Sequence, residues 1–210
     1  MTPVDLRRAR GERNRQALVA CAIRLFETNG YESTTVEQIS AAAGVASRTF
    51  FHHFAAKEDL LFDGYAERLE EAAQRFRSSR STSLWGALAE ASAAVAQTIS
   101  AEPDFFLIRA RMYAGSPGLR ATLLRLNDDW IDQMTHEVAA RLGADESSDM
   151  LPRLAASAIN AANRTAIDTW VASAGHLDLI DTVAQAVALL RPSINRIERL
   201  VKEEHDCGDG

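Results

Sequence analysis

The chain has 210 residues, enough for one large or two small domains. It is 47% hydrophobic and 25% charged, which is typical of a globular protein, and no stretch approaches the roughly 18 apolar residues that a membrane span needs. Because the N-terminus has no apolar signal core, we expect a cytoplasmic protein with no membrane partner. The two cysteines, Cys21 and Cys207, are expected to be reduced thiols, with a regulatory disulfide between them as the alternative.

Charge is distributed unevenly along the chain. The formal net charge is −6. Residues 1–57 contain eight Lys and Arg against five Asp and Glu, a net of +3, and the remainder contains 15 against 24, a net of −9. Because the local sign matters more than the total for attraction to phosphates, the acidic total does not exclude a nucleic-acid partner at the N-terminal end.

The first segment, residues 1–12, is basic, and we expect a disordered arm whose arginines Arg7, Arg8 and Arg10 either reach DNA or remain solvated. A helix is predicted from about Arg13 to Thr28, since apolar residues recur there at helical spacing. The pair Asn29-Gly30 predicts its end.

Residues 34–54 predict two short helices with a tight turn between them. A capping box, Thr34 with Glu37 or Thr35 with Gln38, starts the first helix, and Gly44 permits the turn that ends it. The second helix includes residues 47–53 and leaves polar side chains on its outer face. This arrangement is typical of a helix-turn-helix that enters a DNA major groove, although an ordinary helical hairpin has the same local signals.

Residues 13–62 resemble the N-terminal domain of the tetracycline-repressor (TetR) family of bacterial transcription regulators. The matching residues are Leu25-Phe26, Asn29-Gly30-Tyr31, Thr34-Thr35, Ile39, Ala42-Ala43-Gly44-Val45, Thr49, Phe51-His52-His53-Phe54, Lys57-Glu58 and Leu60-Leu61. The resemblance implies a DNA-binding domain over residues 1–56 and a helical effector-binding and dimerisation domain over residues 57–204. Residues 205–210 are predicted to form a flexible tail.

The helix-turn-helix and the resemblance together give a set of candidate DNA-contacting residues: Thr34, Thr35, Ser47, Arg48, Thr49, Phe51, His52, His53 and Lys57. Two positions depart from the family pattern. Ala46 stands where the family usually has a capping Ser or Thr, a role that Ser47 is expected to take over, and Phe51 stands where the family usually has Tyr. Lys57 lies in the first turn of a predicted helix, where a cation is unfavourable, so we expect a DNA phosphate nearby or compensation by Glu58 and Asp59.

The remainder of the chain is predicted to be helical, which makes the fold all-α. One long helix is expected from Lys57 to about Ser78, followed by a Ser-rich break at residues 78–83. Further helices are predicted at about 83–101, 104–114, 117–142, 149–174, 178–191 and 193–202. The helices at 149–174 and 178–191 are rich in Ala, which suits either the dimer interface that the family resemblance implies or ordinary packing within one chain.

A ligand cavity is expected in the C-terminal domain, because large apolar groups there are mixed with polar groups at buried-looking positions. The candidate ligand-binding residues are Trp85, Phe105, Arg109, Met112, Asn127, Trp130, Met134, Asn163 and Trp170. Phe106, His136 and Asn160 share the same pattern. Each of these residues has core packing as its alternative role.

The chain has no CxxC, HExxH, GxSxG or Walker pattern, so we expect neither an enzyme nor a metal or cofactor site. The helix-turn-helix, together with what the TetR resemblance implies, predicts a homodimeric repressor that binds a palindromic DNA operator and is released by a small, largely apolar effector. The alternative is a small-molecule sensor or carrier that has lost DNA binding.

Overall fold

The computed structural model describes the backbone from Pro3 to Gly208 and the side chains of residues 5–201 and Glu203. Within these residues every regular element is a helix, which confirms the all-α prediction. The chain divides between Tyr65 and Ala66 into two compact units. None of the described helices is both long enough and apolar enough to cross a membrane.

The N-terminal unit consists of three α-helices and one 3₁₀ segment. The elements are α1 (Pro3–Asn29), α2 (Val36–Ala42), α3 (Ser47–His53) and a 3₁₀ turn (Lys57–Phe62). On α1, the buried residues Leu18, Ala22 and Phe26 follow a spacing of four and form one apolar stripe. Helix α2 adds Ile39 and α3 adds Phe50, both fully buried, so three helices share one small core.

The C-terminal unit contains seven helices. These are α4 (Tyr65–Ser78), which starts at the last residue of the N-terminal unit, α5 (Leu84–Ala101), α6 (Pro103–Gly115), α7 (Pro117–Leu142), α8 (Leu151–Ala172), α9 (Leu179–Leu189) and α10 (Arg191–Gly208). Helix α8 packs between α7 and α9, and α5 packs on α9. One continuous hydrophobic core joins these helices, with Phe76, Leu88, Val138 and Val187 among its fully buried members.

Three sequence predictions about the element boundaries were wrong. The arm at residues 1–12 is not disordered from Pro3 onward, because α1 begins there: Pro3 suits a first helical position, and the following Leu, Arg, Ala and Glu residues are good helix formers. The predicted helix from Lys57 to Ser78 is two elements, since Gly64 has a φ of 69° and separates the 3₁₀ turn from α4. Helix α10 continues to Gly208, beyond its predicted end at about Lys202, and the flexibility of residues 205–210 stays a prediction.

The other C-terminal helices lie within three residues of their predicted bounds. Asp209 and Gly210 lie outside the described residues, as does the side chain of Cys207, so the alternative of a disulfide to Cys21 stays a prediction. Cys21 itself is buried on α1.

Candidate DNA-binding and ligand-binding sites

Helix α2 begins with a complete capping box. The backbone N–H of Gln38 donates to the Thr35 hydroxyl at 3.2 Å, and the backbone N–H of Thr35 donates to the Gln38 side-chain oxygen at 2.9 Å. Of the two predicted capping pairs, the structure therefore forms Thr35 with Gln38. Thr35 is exposed, but its hydroxyl is already an acceptor in the cap.

The turn between α2 and α3 is a Schellman motif. Gly44 has a φ of 68°, its N–H donates to the carbonyl of Ala41, and the N–H of Val45 donates to the carbonyl of Ser40. Together these bonds satisfy the end of α2, and the four residues 43–46 form the turn to α3. The structure thus forms the helix-turn-helix that the sequence predicted.

Helix α3 presents one exposed face. Phe50 is fully buried and its ring contacts the rings of Phe51 and Phe54 at centroid distances of 5.3 and 5.7 Å, so it fixes the rotation of the helix. Arg48, Phe51 and His52, at positions i, i+3 and i+4, are exposed on the opposite side, and the Phe51 side chain is 56% exposed. Ser47, Thr49 and His53 are half-buried beside this face.

The cap of α3 differs from the prediction. Ala46 is the N-cap residue, with extended backbone and no side-chain hydrogen bond, and Ser47 is the first helical residue. Ser47 therefore does not take over the cap. The first turn of α3 starts from the Ala46 carbonyl alone, which accepts the backbone N–H of Thr49 at 2.7 Å.

Thr34 is not part of the exposed face. Its side chain is 1% exposed, and its hydroxyl donates to the carbonyl of Gly30 at 2.8 Å. It closes the turn after α1, which is a structural role. We therefore leave Thr34 out of the DNA-contacting set proposed below.

Lys57 has the negative partners that its position requires, and they are backbone carbonyls. Its ammonium donates to the carbonyls of Tyr31, Glu32 and Thr34 at 2.8, 3.2 and 3.1 Å. An ammonium has three N–H groups, so these three bonds use its donors. In the free protein the charge is thus explained without a phosphate. Asp59, in the same turn, accepts the backbone N–H groups of Ala55 and Ala56, both at 2.9 Å.

Two titratable groups in this unit have shifted pKa values. Burial, followed by the Glu58 carboxylate that accepts the phenol's hydrogen bond at 3.3 Å, raises the pKa of Tyr31 well above its ordinary value. Burial lowers the pKa of His53, and the neighbouring His52 and Arg15 act in the same direction. Both effects favour the neutral imidazole of His53 in the free protein.

The nine candidate ligand residues do not form one group. Trp130, Met134 and Trp170 belong to the continuous core of the C-terminal unit, and Trp85 donates its indole N–H to the Val187 carbonyl at 3.3 Å. Asn127 is buried and Met112 is half-buried. The Asn163 amide donates to the Ser92 hydroxyl at 3.1 Å, while its buried oxygen has no partner among the described residues.

Phe105 and Arg109 do lie together, on α6. The Arg109 guanidinium carbon lies 5.0 Å from the centroid of the Phe105 ring, 5.3 Å from that of Phe106 and 5.8 Å from that of Tyr113. Arg68 of α4 is 5.0 Å from the Phe106 centroid. We define these five residues as the arginine–aromatic cluster.

Two members of this cluster, Tyr113 and Arg68, were not among the candidate ligand-binding residues predicted from the sequence. The spacing of Phe105, Arg109 and Tyr113 at i, i+4 and i+8 on one helix face could have identified Tyr113, whereas the sequence has no signal that places Arg68 beside α6. The sequence-based prediction of burial was wrong for one polar residue. His136 was expected to be buried, but its side chain is 72% exposed and lies 3.3 Å from the Glu146 carboxylate.

Comparisons with known proteins agree with this architecture. The sequence-family model of bacterial regulatory proteins of the tetR family matches residues 18–63, and the family model of the MftR C-terminal domain matches residues 82–195. The chain is 31% identical over 172 residues to the HTH-type transcriptional regulator TcmR of Streptomyces glaucescens, covering 79% of this chain and 76% of that protein. It is 24% identical over 179 residues to the putative mycofactocin biosynthesis regulator MftR of Mycobacterium tuberculosis, covering 85% and 89%.

Solved structures of regulators share the fold. NalD of Pseudomonas aeruginosa, the secondary repressor of the MexAB-OprM efflux pump, superimposes with a TM-score of 0.63 at 20% identity, covering 88% of this chain and 97% of that one. FadR of Bacillus subtilis, solved with stearoyl-CoA, superimposes with a TM-score of 0.60 at 20% identity, covering 83% and 96%. On the family models and the identity to TcmR, this chain belongs to the TetR family of bacterial transcription regulators.

Proposed function

We propose that the protein is a ligand-responsive repressor of the bacterial cytoplasm that binds a palindromic operator as a homodimer. The observation that carries this proposal is the exposed face of α3, where Arg48, Phe51 and His52 stand together on a helix whose opposite side is fixed by buried Phe50. A guanidinium can bond a guanine edge, and an exposed ring can contact a thymine methyl group. Thr35, Ser47, Thr49 and His53 flank this face and complete the proposed DNA contacts.

The dimer proposal is supported by apolar side chains that α8 and α9 leave at the surface. Leu154 is 50% exposed, Ile180 is 39% exposed and Leu189 is 82% exposed. The Ala residues of these helices divide between two environments: Ala155 and Ala156 are buried within the chain, whereas Ala184 and Ala188 are exposed. Packing within one chain therefore accounts for only part of the Ala-rich pattern, and the rest suits close approach of a second subunit.

An effector site in the C-terminal unit is supported by its buried polar groups. Arg109 and Asn163 are 3% and 8% exposed, and each has one buried polar atom without a hydrogen-bond partner among the described residues. Buried polar atoms are normally satisfied, so such atoms suit a bound molecule. Among proteins of this fold, FadR was solved with stearoyl-CoA and SmeT with triclosan, so the fold accommodates organic ligands.

The experiment is a binding assay with DNA. Fluorescence anisotropy with labelled duplexes from the region beside the protein's own gene should find a site bound in the nanomolar range at moderate salt. Arg48→Ala should weaken this complex by about 1–3 kcal/mol and relax its base preference. Arg125→Ala, which removes a 67% exposed arginine of α7, is the matched control and should leave affinity unchanged.

Two results would contradict the proposal. Binding without sequence preference, or equal affinities for wild type and Arg48→Ala, would mean that α3 does not read DNA. Sedimentation of the free protein as a monomer at the concentrations of the assay would contradict the proposed homodimer.

A further inference from the structure

We propose that the effector is an organic anion, a carboxylate or phosphate ester on an apolar body, and that Arg109 binds its charge. This inference names the ligand class of the effector site and rests on the proposed ligand-responsive function. The starting observation is a cation placed where water does not reach. The Arg109 side chain is 3% exposed on α6, and its Nη1 atom is buried with no hydrogen-bond partner among the described residues.

The neighbours of Arg109 satisfy only part of the guanidinium. The rings of Phe105, Phe106 and Tyr113 lie 5.0–5.8 Å from its central carbon, a distance at which a ring attracts a cation. The Tyr113 hydroxyl accepts the Nε hydrogen at 3.0 Å. Aromatic rings offer no lone pair in the plane of the guanidinium, so they cannot satisfy Nη1.

None of the groups that contact Arg109 within the described part of the chain is a carboxylate. A buried cation normally has an anionic partner, because removing it from water is costly. Arg109 therefore has a positive charge and an open donor, and among the described residues none of its contacts supplies a negative group. An anion supplied by a ligand meets both requirements, and the rings then contact the ligand's apolar body.

A second cation reinforces this assignment. The guanidinium of Arg68, on α4, lies 5.0 Å from the Phe106 centroid, and that of Arg109 lies 5.3 Å from the same centroid. Two guanidinium groups beside one ring make an anion more favourable there than either would alone. An anion at this position would also link α6 to α4.

The test measures thermal stabilisation of the full chain by small probes. Decanoate, decyl phosphate and 3-phenylpropionate are the anionic probes, and decanamide and 3-phenylpropionamide are the uncharged counterparts of the two carboxylates. A ligand that binds only the folded state raises the melting temperature in proportion to the logarithm of its concentration over its Kd. We expect at least one anion to stabilise the wild type and its uncharged counterpart to have a much smaller effect. Stabilisation by decanoate but not decyl phosphate assigns a carboxylate, and the reverse assigns a phosphate.

Arg109→Gln should weaken the effective anion by about 10- to 100-fold, the range for a hydrogen bond to a charged group. Arg111→Gln removes an exposed arginine from the same helix and should not change the response. Because an arginine in the interior can also matter for folding, Tyr113→Phe serves as a second variant. It keeps the ring but removes the acceptor that orients Arg109, and it should weaken binding by several-fold.

The proposal is overturned if no anionic probe stabilises the wild type, if amide and acid act equally, or if Arg109→Gln retains the full response. These results are separable from failure of the proposed function, because operator binding is measured without any probe. Operator binding together with no anion response rejects this inference alone. An anion response that depends on Arg109 in a chain that binds no operator supports this inference and rejects the regulator.

Discussion

The ammonium of Lys57 lies 4.4 Å from the centre of the Tyr31 ring and donates a hydrogen bond to the Tyr31 carbonyl at 2.8 Å. Twenty-six residues separate the two in the sequence. The contact joins the 3₁₀ turn to the segment between α1 and α2, so Lys57 positions the start of the helix-turn-helix.

Replacing Lys57 should therefore reduce stability more than it reduces charge attraction to DNA. Lys57→Met keeps most of the aliphatic stem and leaves three carbonyls without their charged donor, so we expect a loss of about 1.5–3 kcal/mol in the free energy of unfolding. Urea denaturation measures it, with Arg48→Met as the exposed control, expected within about 0.5 kcal/mol of wild type. A lysine that binds phosphate would instead lower the slope of log affinity against log salt by about 1 when replaced. An unchanged stability with a reduced salt slope would assign Lys57 to DNA.

Ala46→Ser should stabilise the protein. Ala46 is the N-cap of α3, with φ −73° and ψ 150° and no side-chain bond, and it is exposed, so a hydroxyl can be accommodated there. A Ser oxygen would accept a backbone N–H of the first turn and add about 0.5–2 kcal/mol to the free energy of unfolding. The control is Ala41→Ser, at an exposed position inside α2, which should be neutral or slightly destabilising. A melting temperature for Ala46→Ser no higher than that of wild type would show that the cap is not limiting.

The elements that the sequence predicted well are those with local causes. The helix-turn-helix depends on a capping box and on Gly44, and the C-terminal helices depend on 3.6-residue periodicity interrupted by Gly and Pro. Local signals also explain the failure at Lys57–Ser78, where the apolar pattern continues across Gly64 and hides the break. Contacts between distant segments were not predictable: the carbonyls around Lys57 and the position of Arg68 beside Phe106 arise from packing, which no spacing in the sequence encodes.

The histidines of α3 should make operator binding depend on pH. In the free protein, burial and neighbouring positive charge hold the pKa of His53 below its ordinary value of 6.5, so a DNA phosphate must raise this pKa if it contacts the imidazole. The complex then binds a proton on formation. The gain in DNA affinity from protonation is complete below the pKa of His53 in the free protein, and it disappears as pH rises through the pKa of His53 in the complex. Affinity should therefore fall between about pH 6 and 8. Anisotropy titrations at constant ionic strength measure this, with the His52→Gln/His53→Gln double variant as the control expected to be flat. A flat profile for the wild type would exclude both histidines from the phosphate contacts.

Effector and operator should each change the affinity for the other by the same factor. An effector can alter DNA affinity only if it favours one of two conformations that bind DNA differently. Helix α4 is the element that continues the chain from the DNA-binding unit, and it bears Arg68 of the arginine–aromatic cluster. Because Gly64 separates α4 from the 3₁₀ turn, we expect α4 to shift as a rigid helix from Tyr65 to Ser78. The change in direction is taken up at Gly64 before the helix and in the Ser-rich segment that follows the helix.

Calorimetric titration of the most effective anionic probe into the protein, alone and saturated with operator duplex, should give dissociation constants that differ by about 5- to 150-fold. In Arg68→Gln this ratio should move towards one while operator affinity without the probe is retained. Equal dissociation constants in the two wild-type titrations would mean that the ligand site is not coupled to DNA binding, and the chain would then bind its ligand and its operator independently.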